Sequence, residues 1–371
     1  MKNILVTGGA GLIGSHTVDL LLEKGYRVRI LDNLEKPTHL SGRPSYIPSR
    51  AEFIEGDIRS ERDVKGALKG IDGVIHLAAT GGFTPRIIEY LEANTIGTAL
   101  MLQIIRNERL PIKKIVVASS VAVYGEGKYQ CSKHGVVFPP IRPIEQMERK
   151  EWELKCPFCA SELKALATDE LTPVKPQKVY SVSKFDQERL VLGLGEEFGI
   201  PSAALRYFVT YGPRQSLSNP YTGLCSIFST RLLNDLPAVV YEDGLQTRDF
   251  VYVKDVAAAS VLVLESDKSD RQVYNVGTGN SLSVLDIAKT LSRIYKKDIA
   301  PEIGGKFRPG EVRHIVADIA KLKSIGFKPK YTFEDGIREY VEWIRSQGDV
   351  KDYFSRAQTD LTKDQVVRNC R

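Results

Sequence analysis

Short runs of aliphatic and β-branched residues alternate with longer stretches of helical periodicity through the first half of the chain. The runs are Ile4 to Val6, Arg27 to Leu31, Glu52 to Ile54, Gly73 to Leu77 and Lys114 to Ala118. Between them, Leu12 to Glu23, Glu61 to Leu68 and Ile87 to Arg106 repeat their apolar residues at helical spacing, and each can serve as a crossover helix. That rhythm predicts an α/β fold built on a doubly wound parallel sheet. From Gly125 to Pro176 it breaks into Gly, Pro, Cys and charged residues, predicting an insertion without a strand or long helix of its own. Regular structure resumes with a helix over Tyr180 to Glu197 and a strand over Ala203 to Tyr207, then shorter elements of a smaller α/β lobe, ending in a helix over Phe333 to Arg345. The expected organisation is a first domain over 1–208 carrying the 126–176 insertion, and a lobe over 209–346 partly interleaved with it. Residues 347–371 are polar and are expected to be a loosely attached tail.

Composition narrows the partners. The chain has 371 residues, 42% of them hydrophobic and 26% charged, so disordered and disulfide-scaffold readings are disfavoured. Lys and Arg number 52 against 46 Asp and Glu, a formal charge of +6, without the basic run that marks a nucleic-acid surface. No apolar run approaches the ~20 residues of a membrane span. The start reaches Gly8 too soon for a secretory signal, and a cytoplasmic protein is expected. The cysteines at 131, 156, 159, 225 and 370 are too clustered for a disulfide framework.

The first run leads into Thr7-Gly8-Gly9-Ala10-Gly11-Leu12-Ile13-Gly14, with glycines at 8, 11 and 14 before a helix. Gly8 permits the tight turn, Gly11 lets a pyrophosphate approach the backbone, and Gly14 lets helix and strand pack closely, as in a Rossmann dinucleotide site. The helix N-terminus then faces the phosphates. Asp32 ends the second run at the spacing of a ribose-binding acid, which accepts a 2′-hydroxyl and repels a 2′-phosphate. NAD is therefore the expected cofactor.

Further stretches make the resemblance specific. Asp57-Ile58, His76-Leu77-Ala78-Ala79 and Asn94-Thr95-Ile96-Gly97-Thr98 resemble the extended short-chain dehydrogenase/reductase family, whose members rearrange nucleotide-activated sugars, over nearly all of residues 1–346. The resemblance implies that Asp57 and Ile58 hold the adenine, Leu77 to Ala79 line the nicotinamide side, and Asn94 supports the site. Leu12, Ile13 and Asn33 complete the expected cofactor contacts. His76 is read as a core residue.

Abstracting a sugar hydroxyl proton needs a tyrosine whose phenolate a nearby cation stabilises, since its unperturbed pKa is ~10. On a helix, a lysine four residues on lies on the same face. Tyr180 and Lys184 supply that spacing in a helical stretch. Tyr124 with Lys128 and Tyr129 with Lys133 share it, but glycines and prolines interrupt them. Ser120, ending Ala118-Ser119-Ser120, matches the family's catalytic hydroxyl. Val121 and Ala122 stand where family dehydratases carry Asp-Glu, and decarboxylating relatives carry a glutamate at the position of Ala122. Hydride removal and return then remain, which implies an NAD-dependent sugar-nucleotide 4-epimerase acting on a dTDP- or UDP-hexose.

The resemblance also assigns Arg248 and Arg308 to the substrate diphosphate and Asn219 to its nucleotide end, whereas Val209 replaces a usual asparagine. Cys131-x-x-His134 and Cys156-x-x-Cys159 form two knuckles with the layout of a zinc ribbon, predicting a closed structural zinc site in the insertion. A similar insertion, and the stretch Asn219-Pro220-Tyr221-Thr222-Gly223, occur in a branch of the 4-epimerases. Two other readings stay open: a 4-ketosugar reductase of the same fold, and a dinucleotide- or nucleic-acid-binding protein using the ribbon. The family implies a homodimer packed through Ile87 to Arg106 and Tyr180 to Glu197, with no membrane or nucleic-acid partner.

Overall fold

Seven parallel strands form the central sheet in the computed structural model, which describes residues 1–82, 87–221 and 223–371. In chain order they are β1 (Asn3–Thr7), β2 (Arg27–Asp32), β3 (Glu52–Glu55), β4 (Gly73–His76), β5 (Lys114–Ser120), β6 (Ser202–Tyr207) and β7 (Gln272–Val276), and across the sheet they run β7-β6-β5-β4-β1-β2-β3. Every residue of β4, β5 and β6 is buried, as expected of strands covered on both faces. The chain leaves β1 for β2 on one side and later adds β4 on the other, so a crevice opens at the carboxyl ends of β1 and β4.

Helices cover both faces. On one, Val18, Leu21 and Leu22 of α1 (Leu12–Glu23) share a core with Val256, Ala259 and Val263 of a helix over Val253–Glu265. On the other, α2 (Glu61–Leu68) and α3, a run over 87–107 with a π-helical turn at Leu91–Ile96, enclose a second cluster with Val191 of α4 (Val179–Glu197). The smaller lobe has its own aromatic core of Tyr211, Phe228, Phe250, Tyr252 and Tyr340. Residues 253–276 leave that lobe to supply the outer helix and β7 of the sheet.

Two expectations change. The insertion is not without structure: strands Tyr129–Cys131, Gly135–Val137 and Lys164–Ala165 form a small antiparallel sheet, with a helical turn at Ile144–Glu148. Its strands are two or three residues long, below the length at which periodicity can be read. The segment 347–371 is not loose either. A helix over Phe354–Lys363 buries Phe354, Ala357 and Leu361, and Arg368–Asn369 pairs antiparallel with Lys306–Phe307. The average polarity of the segment hides an apolar stripe at spacings of three and four.

Candidate active site

The glycine turn is shaped by close approach. Gly8 takes φ 68°, in the left-handed region, and its N–H donates to the Leu31 carbonyl at 2.8 Å. A Cβ on Gly14 would stand 2.1 Å from the Gly8 carbonyl oxygen. Asp32 accepts the Ala10 N–H and the Leu34 N–H, each at 2.9 Å, which fixes its carboxylate at the end of β2. Gly8, Gly11, Asp32, Asn33, Asp57 and Ile58 line one cleft, together with Leu77 to Ala79 after β4. Leu12 and Ile13 pack their side chains into apolar cores instead, leaving only their backbone groups for a phosphate. Asp57 is held by two short bonds from Arg59, at 2.8 and 2.6 Å, and one from Asn33 at 2.9 Å; the Arg59 bonds bring its carboxyl down to about 2. Arg59, which also lines the cleft, had no sequence signal.

Tyr180 lies in the first turn of α4, and its phenol faces the side chain of Ser120, which ends β5. The Ser120 hydroxyl accepts the Ala122 N–H at 3.2 Å, so the turn after β5 orients it. Burial pushes the Tyr180 phenol up, and the Ser120 hydroxyl works against that shift. Lys184 is buried, and burial lowers its ammonium to about 7. Its Nζ donates to Gln187 Oε1 at 2.6 Å. Gln187, which the sequence reading missed, in turn donates to Thr98 Oγ1 at 2.9 Å; the signal was its place three residues past Lys184, on the buried side of the helix. Asn94 donates to Ser183 Oγ at 2.9 Å and accepts the Thr80 N–H at 2.8 Å, tying α3 to α4 and to the loop after β4. His76 is fully buried between Thr7 and Thr98, and burial takes it to about 3, as suits a neutral core histidine. The two other tyrosines at the same spacing are engaged elsewhere: Tyr124 donates to Asn275 Oδ1 at 2.7 Å, and Tyr129 to the His314 carbonyl at 3.1 Å.

Arg248 and Arg308 meet around one carboxylate that the sequence reading missed. Glu311 accepts Arg248 Nη2 at 3.0 Å and lies 3.9 Å from Lys178 Nζ. Although burial opposes it, the charges of Lys178, Arg248 and Arg308 bring the Glu311 carboxyl to about 2. Arg308 also stacks over the Tyr241 ring, 5.0 Å from its centroid. Asn219 uses its Oδ1 to accept the Tyr221 N–H at 3.0 Å, which shapes its turn; Thr222 of the same stretch lies outside the described residues. Val209 begins a short strand, Val209–Tyr211, parallel to Phe250–Tyr252.

The four predicted metal ligands do converge. Cys131 Sγ lies 3.5 Å from His134 Nδ1 and 3.7 Å from Cys159 Sγ, Cys156 Sγ lies 3.6 Å from His134 Nδ1, and all four donor atoms fall within 4.8 Å of one another. No helix among the described residues is long and apolar enough to cross a membrane.

Residues 4–146 match the model of the NAD-dependent epimerase/dehydratase family, and 162–340 that of GDP-mannose 4,6 dehydratase. The chain is 33% identical to a dTDP-L-rhamnose 4-epimerase from Burkholderia thailandensis, over 94% of this chain and 97% of the relative. Among solved structures, UDP-glucose 4-epimerase from Thermotoga maritima with UDP-glucose aligns at a TM-score of 0.76 and 29% identity, over 94% of this chain and all of that one. UDP-glucuronic acid 4-epimerase from Bacillus cereus, in complex with UDP-glucuronic acid and NAD, aligns at 0.74 and 29%, over 93% and 99%.

Proposed function

The chain belongs to the NAD-dependent epimerase/dehydratase family, and from that premise we propose that it is a sugar-nucleotide 4-epimerase that retains NAD. The carrying observation is a Ser120 and Tyr180 pair facing each other with Val121 and Ala122 beside it, where water elimination or decarboxylation would call for carboxyl groups. The cradle suits NAD: a turn too tight for a Cβ at Gly14, and a fixed carboxylate at Asp32 that can accept ribose hydroxyls and disfavours a 2′-phosphate. Bound NAD would take up and return the hydride at C4 of the hexose, and its oxidised ring would bring a positive charge beside the phenol. Tyr180 accepts the 4-hydroxyl proton, with Ser120 aligning that oxygen. Lys184, held by Gln187, supports the phenolate from the same helix. The 4-keto sugar turns over so that the hydride would return to its other face, and Tyr180 gives the proton back to the 4-oxygen. Arg248 and Arg308 suit a diphosphate through guanidinium forks. The resemblance to the Burkholderia enzyme favours a dTDP-hexose, with UDP-hexoses next.

The insertion suits zinc. Tetrahedral arms of about 2.3 Å to sulfur and about 2.0 Å to nitrogen imply donor separations of roughly 3.5 to 3.8 Å. Three of the six separations, 3.5, 3.6 and 3.7 Å, match this, all six lie within 4.8 Å, and three thiolates with one imidazole leave no open position. The decisive experiment incubates purified protein with dTDP- and UDP-hexoses and follows the 4-epimers together with cofactor absorbance. Interconversion without net NADH change is expected, and Tyr180→Phe should lower it by roughly 10²- to 10⁴-fold while NAD stays bound. Stoichiometric NADH consumption would replace the epimerase with a 4-ketosugar reductase, and unchanged turnover in Tyr180→Phe would reject the chemistry.

A further inference from the structure

The insertion does more than fold on itself. The residues just before each knuckle reach the segment that carries Arg308 and Glu311. Ahead of Cys131, Glu126 Oε2 accepts the Arg313 N–H at 2.8 Å and the Tyr129 hydroxyl donates to the His314 carbonyl at 3.1 Å. Ahead of Cys156, Glu153 accepts Arg313 Nε at 2.9 Å and lies 3.0 Å from His314 Nε2, and the Trp152 ring packs against Phe307 at 6.5 Å between centroids. Between the knuckles, Arg142 donates to both Glu242 oxygens, at 2.8 and 2.9 Å, and to the Glu311 carbonyl at 2.9 Å. Arg142, Glu242, Glu126 and Arg313 are all buried, so this is a desolvated network and not a surface contact. Removing Arg142 would leave the Glu311 carbonyl without its Arg142 bond and Glu242 with Arg313 alone.

From the other side, Arg368–Asn369 pairs with Lys306–Phe307, the two residues directly before Arg308, and the Arg371 N–H donates to the Glu148 carbonyl of the insertion at 3.1 Å. Segment 306–314 is thus held between the insertion and the C-terminal strand. The four converging ligands fix the spacing between the strand bearing Tyr129 and the stretch bearing Trp152 and Glu153.

We propose that the Cys/His insertion is a metal-dependent brace for substrate binding: by holding segment 306–314 it sets the position of Arg308 and Glu311, and so the affinity for the nucleoside diphosphate half of the substrate. It rests on the epimerase reading above. Arg142, Glu153 and Trp152 are positioning residues in this scheme; none needs to touch substrate.

The test uses the metal-loaded, NAD-containing enzyme and UDP and dTDP as probes, with affinity measured by titration calorimetry. Cys156→Ser and Arg142→Met should each weaken binding of the preferred diphosphate by roughly tenfold or more and raise KM similarly, with kcat within about threefold and NAD content unchanged. Should those variants fail to fold, Glu153→Gln keeps the shape while removing one charge, and roughly threefold weaker binding is expected. Independently, hydrogen exchange on the wild-type enzyme should show faster exchange at 306–314 after zinc is chelated, while β1 to β5 stay protected. Unchanged diphosphate affinity in Glu153→Gln together with unchanged exchange at 306–314 would overturn the brace. The exchange readout does not depend on turnover. Exchange at 306–314 that does not change on chelation, with normal epimerisation, therefore counts against the brace alone, whereas faster exchange on chelation in an enzyme that shows no epimerisation when loaded counts against the proposed function alone.

Discussion

Replacing Gly14 with alanine perturbs the site at its tightest contact. The new Cβ would stand 2.1 Å from the Gly8 carbonyl oxygen, 2.7 Å from Gly9 Cα and 2.9 Å from the Gly8 carbonyl carbon. Relief requires the turn and the start of α1 to separate by roughly an ångström, since carbon prefers contacts of about 3.5 Å or more. The obstructing atoms are backbone, and the turn is pinned by the bond from Gly8 N to Leu31 and by the bond from Ala10 N to Asp32, so no side chain can swing aside. Overpacking of this kind costs about 1 to 3 kcal/mol, and a rigid backbone contact belongs at the upper end. If the displacement is expressed in the NAD complex, about 3 kcal/mol corresponds to roughly 100-fold weaker retention. In the NAD-free protein it would lower Tm by roughly 4 °C for a chain of this size. Gly11 gives the contrast: a Cβ there would lie 3.4 Å from the Gly8 carbonyl oxygen, and its φ of −73° suits any residue. Gly11→Ala should keep the Tm within about 1 °C of wild type while still releasing NAD, because its methyl would project where the pyrophosphate is expected. Calorimetry of NAD-free protein and released NAD per chain measure the two effects. A Gly14→Ala protein with full NAD and an unshifted Tm would refute the packing argument.

Three further outcomes are expected. Burial lowers Lys184 to about 7, whereas the unfolded chain keeps about 10.4, so the unfolded state binds more protons between these values and this group makes stability rise with pH across that window. Lys184→Met should therefore melt above wild type at pH 6 in NAD-free protein, with the advantage shrinking toward pH 10; a constant difference would contradict it. Leu361→Ala, at a buried position of the C-terminal helix, should cost about 2 to 5 kcal/mol in urea unfolding, whereas a loosely attached tail would register nothing. A homodimer through α3 and α4 is expected from the exposed Ile88, Ile96 and Val182 on those helices, and Ile96→Glu should halve the mass in light scattering; a monomeric wild type would end that reading.

Much of this protein is legible in its sequence because it is local. A glycine turn between a strand and a helix, an acid at the end of the next strand and a tyrosine one helical turn before a lysine are each set by neighbours in the chain. The sheet strands all fall close to apolar runs of the sequence, since a strand buried on both faces leaves a nearly continuous apolar signal, but the run that forms β7 reads as part of the smaller lobe. The C-terminal helix escaped because only a few of its residues are apolar and the rest dilute them.

The sequence by itself determined most of the sheet, the glycine cradle and the side chains proposed to react. Only the tertiary structure decided what surrounds them: Gln187 on Lys184, Glu311 among Arg248, Arg308 and Lys178, and Arg142 on Glu242 and Glu311. Arg142 and Glu311 lie 169 positions apart in the chain, and Arg313 and Glu126 lie 187 apart. No periodicity links residues so distant. Their pairing follows from which buried polar groups meet when the chain folds, and burial makes an unmet partner costly.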